Sequence, residues 1–230
     1  MEKRGASHFE MIISFIFFIT FVTFLLLVIK PYETETLTGS VIKEAPKSLE
    51  ELTKVNYTEF FLKLNNAPNN CFSISPNQKI FNYPFSKSIV TDATGADLNS
   101  EINGNTINIK NSGKDYKVYL SPEFNDDTLS SCTSLTEDEY QIGGIFEKKL
   151  TSYKELQKIQ KEFQNNYDNL KNNLKIPKIY DFAIISTDLP ELNMKRQLPS
   201  TGNIQASEFL LEVLKSDGSI TNTRFTIQIW

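Results

Sequence analysis

The chain has 230 residues and a formal net charge of −4, with acidic and basic residues interspersed. About 200 residues remain beyond the first thirty, enough for one ordinary domain or two small ones, and their negative balance argues against a nucleic-acid surface. The only histidine is His8 and the only cysteines are Cys71 and Cys132, without a CxxC pair. A His/Cys metal site or a histidine-based triad beyond the first thirty residues is thereby excluded by inventory.

In chain order, the first feature is Lys3-Arg4-Gly5-Ala6-Ser7-His8-Phe9-Glu10, followed by an apolar run from Met11 to Ile29. Only Ser14, Thr20 and Thr23 interrupt that run, and a helix lets such hydroxyls bond back to its own carbonyls. A helix of this length spans roughly 28 Å, which predicts a membrane crossing. Lys3 and Arg4 before the run place the N-terminus in the cytoplasm and the residues after Pro31 outside, although Lys30 reduces the contrast. No small-residue cleavage site follows the run, so it is expected to stay in the mature chain.

Glu10 does not suit a plain anchor. The basic pair, the lone Gly5, and Glu10 five residues after it together resemble the class III signal peptide of type IV pilin-like proteins, the archaeal ones in particular. The resemblance implies that a prepilin peptidase cuts between Gly5 and Ala6 and retains the apolar helix. It also implies that Glu10 meets the freed amine of an adjacent pilin subunit during assembly. Pro31 departs from the pattern, because a pilin's first helix continues beyond the membrane. A minor pilin or a pilin-like surface protein therefore fits better than a filament's main subunit. The alternative is an unprocessed single-pass anchored binding protein.

The expected organisation is a leader over 1–5, a transmembrane and assembly helix over 6–30, a tether over 31–47 and an extracellular domain over 48–230. Ser48-Leu49-Glu50-Glu51 reads as a capping box opening a helix over 48–65, ended before Pro68. Asn56-Tyr57-Thr58 is an N-glycosylation sequon, and a chance match on a helix is the plainer reading. Strands are expected at Cys71–Ser75, Lys79–Phe81 and Ser88–Val90. Thr106–Asn111 and Lys114–Leu120 read as a hairpin turning at Ser112-Gly113. Asp92, Asp97, Asn99 and Glu101 surround Gly95, but their spacing is that of a solvated turn and not of an EF-hand loop.

Residues 121–141 form an acidic loop containing Cys132. Cys132 pairs with Cys71 if the compartment allows it, or else both are buried thiols. A strand over Ile142–Leu150 follows. Ser152-x-x-Glu155 then caps a helix whose Tyr153, Leu156, Ile159, Phe163, Tyr167, Leu170 and Leu174 recur at steps of three and four, a stripe suited to docking on a sheet. Ile179–Ile185 reads as a buried strand. Leu198-Pro199-Ser200-Thr201-Gly202 matches a cell-wall sorting pattern but has no apolar span behind it. The chain closes on a hairpin, Ala206–Leu214 and Thr221–Trp230, turning at Asp217-Gly218.

The fold class expected is α+β: an N-terminal transmembrane helix, then an antiparallel-sheet domain with one long amphipathic helix. There is no Gly-rich phosphate loop, metal cluster or nucleophile elbow, so neither an enzyme nor a cofactor is expected. The partners implied are a membrane, a prepilin peptidase and other pilin subunits, with no nucleic acid.

Overall fold

The computed structural model describes residues 4–28, 37–66, 68, 70–76, 87–125, 127–129, 131–199 and 203–230. The chain divides into two units, Met1–Ser40 and Val41–Trp230. The first contains α1 (Arg4–Val28), in which the Thr20 hydroxyl donates to the Ile16 carbonyl at 2.7 Å, as its composition predicts. Side chains of α1 are described from Glu10 to Phe24. Among the described residues no helix is long and apolar enough to cross a membrane. The transmembrane helix, the single-pass topology and the membrane partner are corrected on that finding.

Helix α2 (Leu37–Thr53) replaces part of the expected tether. Val41, Ile42, Ala45 and Leu49 form its buried stripe. Residues 31–36 of the tether lie outside the described residues. Ser48 is therefore inside a helix and does not cap one. The helix expected over 48–65 stops at Thr53, and Lys54–Leu64 is strand β1. Phe60, Leu62 and Leu64 are buried while Phe61 and Lys63 are exposed, a period of two that a helix cannot satisfy.

The remaining strands are β2 (Cys71–Ile74), β3 (Lys87–Asp92), β4 (Asp97–Leu98), β5 (Ser100–Asn103), β6 (Thr106–Lys110), β7 (Asp115–Ser121), β8 (Thr133–Ser134) and β9 (Tyr140–Ser152). Helices α3 (Tyr153–Asn165) and α4 (Tyr167–Asn173) follow, then β10 (Phe182–Ser186), β11 (Gln205–Leu214) and β12 (Ile220–Ile229). The strand expected at Lys79–Phe81 lies outside the described residues. Eight strands form one sheet in the order β10-β12-β11-β9-β1-β7-β3-β4, and four form a second in the order β5-β6-β2-β8. The domain is thus mixed α+β. The sheets are not wholly antiparallel, because β11 runs parallel to β9 and β8 to β2.

Three buried clusters support the large sheet, the smallest of them Tyr57, Phe124, Leu150 and Leu214. At one end α2, α3 and α4 share a core with β10, β11 and β12, through Leu49, Leu156, Phe163, Leu170, Phe182 and Phe225. The apolar stripe of α3 and α4 therefore docks on a sheet, as its spacing predicts. The predicted single helix is two, broken at Asn166 (φ −148°, ψ 58°). At the other end the two sheets pack face to face through Phe60, Leu62, Phe72, Ile107, Ile109 and Val118. This layer corrects the expected β6–β7 hairpin. β6 pairs with β2 and β5, whereas β7 pairs with β1 and β3. Ser112-Gly113 is a crossing between sheets, held by the Tyr116 hydroxyl against Asn111 Oδ1 (2.6 Å) and the Gly113 carbonyl (2.8 Å).

Candidate ligand-binding face

The face of β1, β7 and β3 turned away from the small sheet forms the candidate site. Opposed residues of antiparallel strands share a face. Glu59 stands opposite Tyr119, Phe61 opposite Lys117, and Ile89 and Thr91 of β3 stand opposite the same two β7 residues. On the other flank β9 sets Lys148 opposite Tyr57 and Phe146 opposite Glu59. Because the alternate residues are committed to the inter-sheet core, aromatic and charged residues are left together on one surface.

The β11–β12 turn covers one end of this surface. Asp217 Oδ1 accepts from the Ser219 amide at 2.9 Å and the Ser219 hydroxyl at 2.6 Å, and this network holds the Asp217 carboxyl below its usual pKa. Gly218 sits at φ +83°, where a Cβ would stand 3.0 Å from Ile89 Cδ1. Glycine takes this φ without strain and lets the turn lie close to Ile89 of β3. A groove of about 410 Å³ opens between turn and sheet, with Tyr57 and Tyr119 in its floor and Glu59, Thr91, Asp97 and Lys117 around it.

Lys117 and Glu59 form an ion pair in the groove. Lys117 Nζ lies 2.7 Å from Glu59 Oε1 and 5.1 Å from the Tyr119 ring centroid, and its bond to Glu59 raises its pKa. The Tyr57 hydroxyl donates to Glu59 Oε2 at 3.1 Å. Burial, reinforced by Glu59, pushes the Tyr57 phenol upward, so it stays neutral and remains a donor. Both carboxylate oxygens of Glu59 are thus engaged. It is held as a hydrogen-bond acceptor on both oxygens. Beyond the groove Phe61 and Phe146 are 54% and 55% exposed on the same surface.

The other charge clusters have structural partners. Asp181 accepts from the Tyr167 hydroxyl at 3.0 Å and from Arg196 at 3.1 Å, and the Arg196 guanidinium lies 4.1 Å over the Tyr167 ring. Glu123, from the loop read as acidic and loose, is buried at the start of α3, where it accepts from the Ser152 hydroxyl and the Lys154 amide. Asp92 Oδ1 accepts from the Thr94 and Ala96 amides at 2.8 and 3.1 Å, a solvated turn. Among the described residues no three His, Cys, Asp or Glu side chains are grouped to hold a metal ion.

The sequence-predicted residues lie elsewhere. Gly5 and Ala6 are inside α1, and Glu10 is exposed on it. Asn56 is on β1 opposite Lys149, so the sequon occupies a strand and not a helix. Cys71 and Cys132 are disulfide-bonded across 61 positions, joining β2 to the segment that enters β8. The residues missed are Tyr57, Glu59, Lys117 and Tyr119. Their one signal is that alternation which buries Tyr116, Val118 and Leu120 must put Lys117 and Tyr119 on the opposite face.

No family model, curated protein or solved structure matches the chain. The pilin resemblance finds no homology behind it, and the helix it requires is not met among the described residues. The class III signal, the cut between Gly5 and Ala6, the assembly role of Glu10, the prepilin peptidase and pilin-subunit partners, and the archaeal cell-surface attribution are corrected with it.

Proposed function

We propose that the chain is a non-enzymatic binding domain whose open sheet face takes a neutral, polyhydroxyl ligand, the chemistry of a glycan. The observation that carries this reading is the groove over Tyr57 and Tyr119, walled by hydrogen-bonding groups already in fixed positions. The partly exposed Tyr119 ring, backed by the buried Tyr57, suits the apolar face of a sugar ring, and Glu59, Asp97, Thr91 and Lys117 suit its hydroxyls. The lining carries three carboxylates, Glu59, Asp97 and Asp217, against the single ammonium of Lys117. That balance disfavours phosphate, sulfate and nucleic acid.

An array of neutral and anionic oligosaccharides tests the proposal. Neutral glycans are expected to be retained, and Tyr119→Ala to weaken the best of them about tenfold. Retention of anionic probes alone, or neutral binding that Tyr119→Ala leaves untouched, contradicts the assignment.

A further inference from the structure

The groove is one end of a longer surface. Opposed residues set three successive rows of side chains on the face that Tyr119 shares: Phe146, Glu59 and Tyr119, then Gly143, Phe61 and Lys117, then Gln141, Lys63 and Asp115. The groove beneath the β11–β12 turn is lined as far as Lys117. Past it, β9 carries Gly143-Gly144 where it meets Phe61, and the register shifts between Glu59 and Phe61. A Cβ on Gly144 would stand 3.5 Å from Phe61 Cδ2, so the glycines leave that edge of the ring bare. A second depression of about 300 Å³ opens beside Phe61, with Lys63, Asp115 and Gln141 around it. It repeats the chemistry of the groove, an aromatic ring among donors and acceptors. Lys117 joins the two, its Nζ lying 5.1 Å from the Tyr119 ring centroid and 5.6 Å from that of Phe61.

Resting on the glycan reading of the groove, we propose that the ligand is an extended neutral oligosaccharide laid along β1, with inner units on Tyr119 and outer units on Phe61. From Glu59 to Lys63 the strand runs about 13 Å, more than one sugar ring covers. A short ligand in the groove leaves the Phe61 ring in water, whereas a longer one buries it. Both rings belong to one sheet face, so a flat chain meets them without twisting. Charged and amide side chains surround Phe61, whereas the centre of a protein–protein interface is depleted in charge. The polar surround therefore favours outer sugar units over a second copy of this chain.

Calorimetry of the full-length chain tests this with a disaccharide and a tetrasaccharide built from the repeating unit of the neutral glycan best retained on the array. The tetrasaccharide is expected to bind about tenfold more tightly than the disaccharide, and Phe61→Ala to erase that gain. Tyr119→Ala should weaken both. Phe61→Ala removes an exposed ring, and circular dichroism checks that the variant folds. Equal affinities for the two sugars, or a gain that Phe61→Ala keeps, overturn the extension. The groove reading survives those outcomes if Tyr119→Ala still weakens binding. If neither sugar binds, the groove reading fails and the extension fails with it. A dimer seen by light scattering and dissolved by Phe61→Ala assigns the ring to a second copy and also overturns the proposal.

Discussion

Replacing Glu123 tests how α3 is anchored. Its side chain is 1% exposed, accepts from the Ser152 hydroxyl, and accepts from the Lys154 amide at 3.2 Å through Oε1. Ser152 in turn accepts from the Glu155 amide at 2.9 Å, so carboxylate and hydroxyl together satisfy the first turn. Hydrogen bonds to a charged group contribute about 1.5–3 kcal/mol, and an anion at a helix N-terminus adds about 0.3–1 kcal/mol. Glu123→Ala should therefore cost about 2–4 kcal/mol. Burial raises the Glu123 pKa above its usual value, partly offset by the bonds from Ser152 and Lys154. A carboxyl with a raised folded pKa binds its proton more tightly folded than unfolded. Its contribution is present below the unfolded value and is lost as pH rises through the folded one. Glu123→Gln, which cannot ionise, should gain on the wild type as pH rises above the ordinary glutamate value of about 4.3. Urea unfolding of the three chains at several pH values measures this. A cost for Glu123→Ala below about 0.5 kcal/mol, or a wild type that gains on Glu123→Gln as pH rises, refutes the reasoning.

Reducing Cys71–Cys132, which closes 61 positions, should destabilise the domain by about 4 kcal/mol in the chain-entropy model, read as a lower urea midpoint in reductant. Gly218→Ala should cost about 1–2 kcal/mol, because its φ of +83° strains an L-residue and the new Cβ meets Ile89. The same variant should weaken ligand binding in the groove, measured by calorimetry.

Parts of the fold were legible because one periodicity governed each. The β11–β12 hairpin carries Asp217-Gly218 between two alternating runs, and it forms with Leu214 opposite Ile220. The Ser152 cap and the apolar stripe after it likewise place α3. The break at Asn166 was hidden because the stripe continues across it. Tertiary contacts decide there: Tyr167 stacks on Phe182 at 5.2 Å, and its hydroxyl bonds Asp181. β1 was misread because apolar residues of two elements, Leu49 and Leu52 on α2 and Phe60 to Leu64 beyond it, merge into one helical period. The strongest N-terminal pattern, Gly5 to Glu10, supported the reading that had to be corrected. It is a short motif, and no homology supports it. The groove itself had no local signal. Its residues come from β1, β7 and a turn a hundred positions further on, and only the sheet order brings them together.

The central claim is that the open face of β1 and β7 is the binding surface. The most direct measurement is amide chemical-shift mapping during titration with a neutral oligosaccharide retained on the array. For its disaccharide unit the account predicts shifts confined to residues 57–61, 89–91, 117–119 and 217–220, with Tyr119→Ala needing about tenfold more ligand to reach them. Shifts centred instead on α3 and α4, or on the small sheet, would contradict it.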